Sequence, residues 1–511
     1  MKKLLSAIAF CLCVVMLHAQ SISIENVLKM SPGSLSAIKE GSDIKGYYFY
    51  YASDKIDKKT NEYTLRIFDN NLKALKDVKF QDSKDVRILE SSFNGTDLVF
   101  LFFNEDERTF EYQVYGANGQ RKPYNYRREL TKKELQYLKA VYPQLSGDED
   151  ATYKGLYPVE GKGFISNTPS REDKDYTFEI SYFSTEKNKQ WSYIPTDGKK
   201  FAGDYLGTFN GVVYVQMLKF SSLFDGKPES VILGLDLETG KKLFEKSTDS
   251  KYRFYPSSMS QTNAGKSFIY GEYFDAGANV MKDKSSGFAF WSIDNKGNIT
   301  SEKYVSWVTD FGKFVNVSSK GKIENLGYML LHNMVQTADG NIYAIGEGFS
   351  KSVDGFGMAS KVLLGGGSGF KMKITDMVLI KFDKDFNVKD VKIYEKNANN
   401  AGLPASLDYA SAPLMAKIVK GLGGFDYEYT QTNKDASAFT VCYSDYVKEK
   451  DYKGGTFNSI SFNDGKISTD RLNIKSDATY SWVVPGKQGQ VLVVDYYKKE
   501  KKVLAHFEKL N

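Results

Sequence analysis

Three observations in the sequence predict an all-β fold, a β-propeller of about seven to eight four-stranded antiparallel blades. Short strands run into Gly/Asn/Asp hairpin turns at intervals along the whole chain. Tight turns introduce a second set of apolar runs. The last unit has three strands, while a lone strand-like run begins just after residue 20. Four-stranded antiparallel units repeated at this period read as blades set around a common centre.

The hairpins are the clearest elements. Residues 63–68 enter Asp69-Asn70-Asn71, 110–115 enter Gly116 to Gly119, and 176–183 enter a polar turn at 184–188. Residues 230–237 enter Glu238-Thr239-Gly240, and 288–293 enter a turn from Asp294 to Gly297. Residues 377–382 enter a turn from Asp383 to Asn387, and 457–462 enter Asn463-Asp464-Gly465. Each joins a strand of β-branched and aromatic residues to turn residues that tolerate left-handed backbone, as a tight hairpin requires.

The preceding strands follow their own turns. Asn94-Gly95 leads to 98–103, Asn210-Gly211 to 212–215, Asp339-Gly340 to 341–345, and Gln488-Gly489 to 491–494. The final unit offers 480–484, 490–496 and 503–507, and the orphan run starts at Ile22. Donating that run to the last unit closes the ring and removes both exposed edges.

Two helices interrupt the strands. Thr131-Lys132-Lys133-Glu134 is a capping box, with Leu135, Leu138 and Tyr142 on one face and Pro143 as the stop. A second helix runs from Ser411 to Lys420 and ends at Gly421. Both fall between one unit and the next.

In a four-stranded blade, the loops between strands two and three share a face with the connections between blades. The long insertions at 220–229, 274–285, 349–375 and 397–425, together with the Thr131 helix, all map to that face. Loops on a rigid scaffold are where binding usually resides, so this decorated face is the expected functional one. Its candidate contact residues are Phe224, Glu272, Glu347, Phe356 and Phe370.

Residues 1–19 read as an export signal: Lys2 and Lys3, an apolar run from Leu4 to Leu17, then a small residue at Ala19 before the cut. Residues 20–511 are then a single propeller-like domain, placed in the periplasm or at the surface of a bacterial cell. Neither Cys11 nor Cys13 has the setting of a lipid-attachment cysteine, and no later stretch is long and apolar enough to span a bilayer as a helix. Without Lys2 and Lys3 the formal charge falls from +6 to +4, 67 basic residues against 63 acidic. The charges alternate in sign and form no basic patch, which argues against nucleic-acid binding. The 35 Tyr and 34 Phe suit half-buried pleated surfaces.

The mature chain keeps one cysteine, Cys442, in the apolar run 438–443, so no disulfide framework is expected. It reads as a small core residue in preference to a reactive thiol. The histidines left are His332 and His506, both in apolar strand contexts, so neither a zinc site nor His-dependent catalysis is expected. No metal and no cofactor are predicted.

Glu272 and Glu347 each follow a glycine, in Phe268-Ile269-Tyr270-Gly271-Glu272 and Tyr343-Ala344-Ile345-Gly346-Glu347. Both fall where a second strand emerges onto the decorated face, in neighbouring blades. Two carboxylates could hydrolyse a glycosidic bond or hold a hard cation; otherwise they are solvated strand ends recording a duplication. The insertion 349–375 holds two Gly-rich stretches, around Phe356 and up to Phe370, without the lysine–hydroxyl pair of a phosphate loop. It is a lid with aromatic contacts or a loop packed on itself. Asp383-Lys384-Asp385 starts like a calcium loop, but Val388 stands at the sixth position and Tyr394 at the twelfth, so it reads as a hairpin turn. The sequons at Asn94, Asn298 and Asn316 are read as chance matches.

The signal ending in Ala19-Gln20, the Lys/Tyr/Phe-rich strands and turns such as Asp294 to Gly297 resemble secreted β-propeller-like proteins of unknown function from Bacteroidota. The resemblance implies compartment and fold, and transfers no catalytic residue. The expected function is non-catalytic binding of an envelope protein or glycan through the decorated face. The alternative is a carbohydrate-active hydrolase or lyase using Glu272 and Glu347. An outer-membrane barrel is disfavoured by the C-terminal Leu510-Asn511 and the absence of sustained lipid-facing alternation.

Overall fold

The computed structural model describes residues 21–510 except 41–42, 142–144, 146–154, 173–174, 197–199, 222–226, 320, 355–367 and 404–406. The export signal at 1–19, and with it Cys11 and Cys13, lies outside the described residues, as do Phe224 and Phe356.

Eight four-stranded antiparallel sheets follow one another as blades 1 to 8, at 35–83, 86–129, 156–193, 200–247, 253–306, 328–394, 427–473 and 480–509. Within blades 1 to 7 the four strands pair in chain order. The eight sheets are separate, which sets the closed outer-membrane barrel aside. The expected ring closure is present: Ser21–Glu25 lies antiparallel on Lys502–Lys509, with Ser21 opposite His506 and Glu25 opposite Lys502, as the fourth strand of blade 8. Ile24 is buried by this pairing, and the Val27 amide donates to the Lys501 carbonyl at 2.8 Å.

Burial explains the apolar runs. The second strand of blade 2, Asp97–Asn104, and the third strand of blade 5, Gly287–Ile293, are buried at every residue. Neighbouring blades cover such strands on both faces, so they read as continuous runs. The outermost strand Lys242–Ser247 is exposed at all but one residue. Between blades the core is aromatic. Tyr50 stacks on Tyr63 at 5.5 Å, and Tyr48 meets Phe100 edge-on at 5.5 Å across the joint of blades 1 and 2. Edge-to-face and offset rings of this kind add to the area they bury. Cys442 is buried in this kind of packing, and burial pushes its thiol up to about 12.

One recurrent irregularity was invisible in the sequence. The inner strands of blades 2, 4, 5, 6 and 7 each carry a bulge against the second strand, and the extra residues are Leu89, Leu206, Ser257, His332 and Glu428. A bulge re-aims its side chain and bends the strand.

Both helices form. Helix α1, Lys132–Val141, has the capping box: the Glu134 amide donates to the Thr131 hydroxyl at 3.2 Å, and the Thr131 amide to Glu134 at 2.8 Å. Helix α2, Ala412–Gly421, begins at Ser411 with Pro413 in its first turn. The 349–375 insertion differs from a simple loop. Its ends are strand, Ile342–Val353 paired with Phe370–Phe382, and the ladder continues from Phe349 opposite Ile374 to Val353 opposite Phe370. Asn399–Gly402 adds a fifth strand along Lys371 to Ile374. The ribbon holds because Phe349, Met372 and Ile374 bury against α2. The Asp383 segment is the expected hairpin turn. Slight burial works against ionisation there, but Asn387 and the turn amides hold the Asp383 carboxyl well below the usual carboxylate range.

Candidate functional site

The two glutamates do lie on second strands of neighbouring blades, and neither is solvated. Glu347 is fully buried in a charged cluster that joins blade 6 to blade 7. Its Oε2 meets His332 Nε2 at 3.1 Å, and its Oε1 meets Lys396 Nζ at 3.2 Å. The backbone amides of Asp426 and Tyr427 donate to it at 3.2 Å each. Lys396 Nζ also meets Asp426 at 2.5 Å, and the Asn399 amide donates to the other Asp426 oxygen at 3.0 Å. The His332 ring stacks on Tyr427 at 4.6 Å and 9°, with Phe425 edge-on at 5.2 Å.

Burial alone would raise the Glu347 carboxyl, but His332 and then Lys396 outweigh it and hold it below the ordinary range. Asp426 goes the other way, because burial outweighs Lys396 and the neighbouring Glu347 adds to it. The side chains of Glu347 and Lys396 have no exposed surface. A carboxylate with four partners and no solvent is equipped to weld two blades together, not to activate a water molecule.

Glu272 is buried beside the Ser285 hydroxyl, and burial pushes its carboxyl up to about 8. Burial therefore favours its neutral, protonated form. It stands opposite Tyr255 in the ladder, and Tyr255 carries α2 above it. Lys417 of α2 sits over the Tyr255 ring at 5.1 Å, pairs with Asp204 of blade 4 at 2.6 Å and donates to Gln216 at 2.5 Å. At the start of α2 the Ser411 hydroxyl donates to the Val280 carbonyl at 2.6 Å, and the Ser411 amide to the Met281 carbonyl at 2.7 Å. The helix thus leaves the connection between blades 6 and 7 and crosses the decorated face to blades 4 and 5.

Phe370 is half-buried at the far end of the ribbon, opposite Val353, with Lys351 Nζ 3.9 Å from its ring centroid. Among the described residues nine large hydrophobic side chains are well exposed, and six of them, Ile56, Val308, Phe314, Val353, Tyr409 and Tyr446, lie on the loops and strand ends of the decorated face. The other three, Leu75, Leu243 and Ile393, are on outermost strands.

The comparisons with known proteins follow from this frame. A family described as "Family of unknown function (DUF6770)" matches residues 1–511. The chain belongs to DUF6770. No curated protein matches it in sequence. Among solved structures this DUF6770 chain is similar to the quinohemoprotein alcohol dehydrogenase of Comamonas testosteroni, with TM-score 0.43 and 10% identity over 96% of this chain and 75% of that one. It is similar also to prolyl oligopeptidase B of Galerina marginata, with TM-score 0.41 and 9% identity over 94% of this chain and 56% of that one. The β-propeller domain of the Trilobed protease of Pyrococcus furiosus gives TM-score 0.37 and 9% identity over 88% and 97%. The blade assignment of the DUF6770 chain rests on its own strand ladders.

The sequence did not reveal His332, Lys396 and Asp426 as companions of Glu347, nor Lys417 and Asp204 as a pair. Those residues lie up to 213 positions apart, as Lys417 and Asp204 do, and meet through the ring. The one local sign was a histidine in an otherwise apolar strand, Leu330-Leu331-His332-Asn333, where it is the bulge residue.

Proposed function

We propose that this chain is an exported, non-catalytic binding protein of the bacterial periplasm or cell surface that docks a partner on its decorated face. The observation that carries this reading is that six of the nine exposed large apolar side chains among the described residues lie on that face, led by Tyr409 at 81% and Val353 at 63% exposure. Large apolar groups gathered on one face of a soluble scaffold mark interaction surfaces. The hydrolase alternative needs two carboxylates flanking a solvent-filled gap. Glu347 committed to four partners and Glu272 buried beside Ser285 weigh against it.

The test places a photo-crosslinking residue at Tyr409 or Val353 in the native cell, with Leu243 on an outer strand as control. Discrete adducts at the first two positions and none at Leu243 support the proposal. Equal labelling at all three overturns it. A glycan cleaved by the wild type and not by Glu272→Gln restores the enzyme reading.

A further inference from the structure

On the face opposite the decorated one, a cavity of about 910 Å³ opens across blades 7, 8 and 1. That volume is within the range of pockets that enclose a small ligand. Its walls are formed by the lower half of the inner strand of blade 7, the first turn of blade 8 and the start of the second strand of blade 1. The joint is stitched: Gln431 Nε2 donates to the Gly486 carbonyl at 3.1 Å, and Lys487 Nζ to Asn71 at 2.5 Å.

The lining has a distinct chemistry. Five side-chain amides face it, those of Asn70, Gln431, Asn433, Gln488 and Gln490. Each amide carries a donor and an acceptor in one plane, the pair that adjacent sugar hydroxyls require. The apolar lining is small. Ile44 and Phe439 are buried, so Tyr429 and Leu510 present most of the apolar surface. Such a wall suits a polyol ring resting on an aromatic and does not suit a lipid chain.

On the rim Lys45 pairs with Glu40 at 3.2 Å, whereas Lys487 donates to the neutral Asn71. Lys39 lies deeper. It comes from the inner strand of blade 1, and its ammonium stands 5.8 Å from the centroid of the Tyr429 ring. Among the described residues it makes no ion pair and no hydrogen bond. Burial pushes it below the ordinary lysine range, and burial likewise pushes the nearby Cys442 thiol up to about 12. A partly desolvated cation beside an open cavity calls for an anionic group from outside.

We infer that this cavity binds a short acidic saccharide, with its carboxylate on Lys39, its hydroxyls on Gln431 and Gln490, and a ring face on Tyr429. The site is separate from the docking face, so Tyr409→Asp leaves it unchanged and the two proposals fail independently. The experiment is isothermal titration of the full chain with trigalacturonate and with a hyaluronan tetrasaccharide, using maltotriose as the neutral counterpart. The expected result is that at least one acidic sugar binds with a Kd of about 1 mM or tighter, and maltotriose at least about tenfold more weakly. Lys39→Met, which keeps most of the length of the side chain and removes the charge, weakens the acidic sugar about tenfold or more. The double variant Gln431→Ala with Gln490→Ala, on the accessible wall, does the same. The proposal is overturned if neither acidic sugar binds, or if binding survives undiminished in both variants. Tighter, Lys39-dependent binding of triglutamate overturns it in favour of an acidic peptide.

Discussion

Lys417, on a helix that springs from between blades 6 and 7, forms an ion pair with Asp204 on the inner strand of blade 4 at 2.6 Å. The pair runs across the decorated face and ties α2 to blade 4. Burial disfavours the ammonium, yet the Asp204 charge and the Tyr255 oxygen raise Lys417 above the ordinary lysine range.

Cutting this tie should loosen the helix more than the ring. Lys417→Met is expected to lower global stability by about 1 kcal/mol, because both partners keep some contact with solvent. Amide hydrogen exchange across 412–421 should rise at least tenfold, while exchange in the second strand of blade 2 stays constant. An unchanged helix would mean that Ser411 and the apolar contacts of α2 hold it alone.

The cluster around Glu347 predicts a much larger effect. Lys396→Met leaves Glu347 and Asp426 buried without their shared cation, a change that costs on the order of 3–5 kcal/mol. Urea denaturation measures it directly. A loss near that of a surface pair would show the cluster to be hydrated in solution.

Glu272 predicts a dependence on pH. Burial lifts its folded pKa to about 8, above the unfolded value near 4.5. Below both values it is protonated in either state and adds no dependence. Between them the unfolded chain holds fewer protons, so stability falls as pH rises from about 4.5 to 8 and then levels off. The wild type should lose on the order of 3–5 kcal/mol relative to Glu272→Gln across that window. Parallel denaturation of both proteins at pH 5 and pH 8 would show the difference, and equal slopes would refute it.

The twin Gly-Glu dipeptides should respond differently to alanine. At Gly271 an added Cβ would overlap the Tyr255 carbonyl oxygen, a backbone atom that cannot yield. At Gly346 the Cβ would meet the Leu330 carbonyl oxygen and the flexible Met329 side chain at 3.1 Å. Gly271→Ala is expected to cost about 2 kcal/mol more than Gly346→Ala. Differential scanning calorimetry of the two variants decides it.

These contrasts mark how far the sequence could be read. The hairpin at Asp294 to Gly297, the buried strand at 98–103 and the closing strand at Ile22 were legible, because backbone needs and local apolar runs dictate them. The 349–353 and 370–374 ribbon was not, because its strands are stabilised by α2, far off in sequence. The surroundings of Glu347 were hidden for the same reason. A bulge at His332 and an ammonium from Lys396 reach it from different elements, and nothing in either segment announces the meeting. Glu272 and Glu347 look alike as sequence, yet burial favours the neutral form of the first, while His332 and Lys396 favour the anion of the second.

The pairing of Ser21 with His506 has a further meaning for how the molecule comes into being. The first strand to be synthesised must wait for the last before it finds its partner, since nearly the whole chain separates them. Blades 1 to 7 can each form from neighbouring strands as they emerge, a local process. Ring completion cannot begin until translation has delivered residues 502–509. A chain cut between residues 473 and 502 would therefore hold the strands of blades 1 to 7 while Ser21–Glu25 lacked its partner.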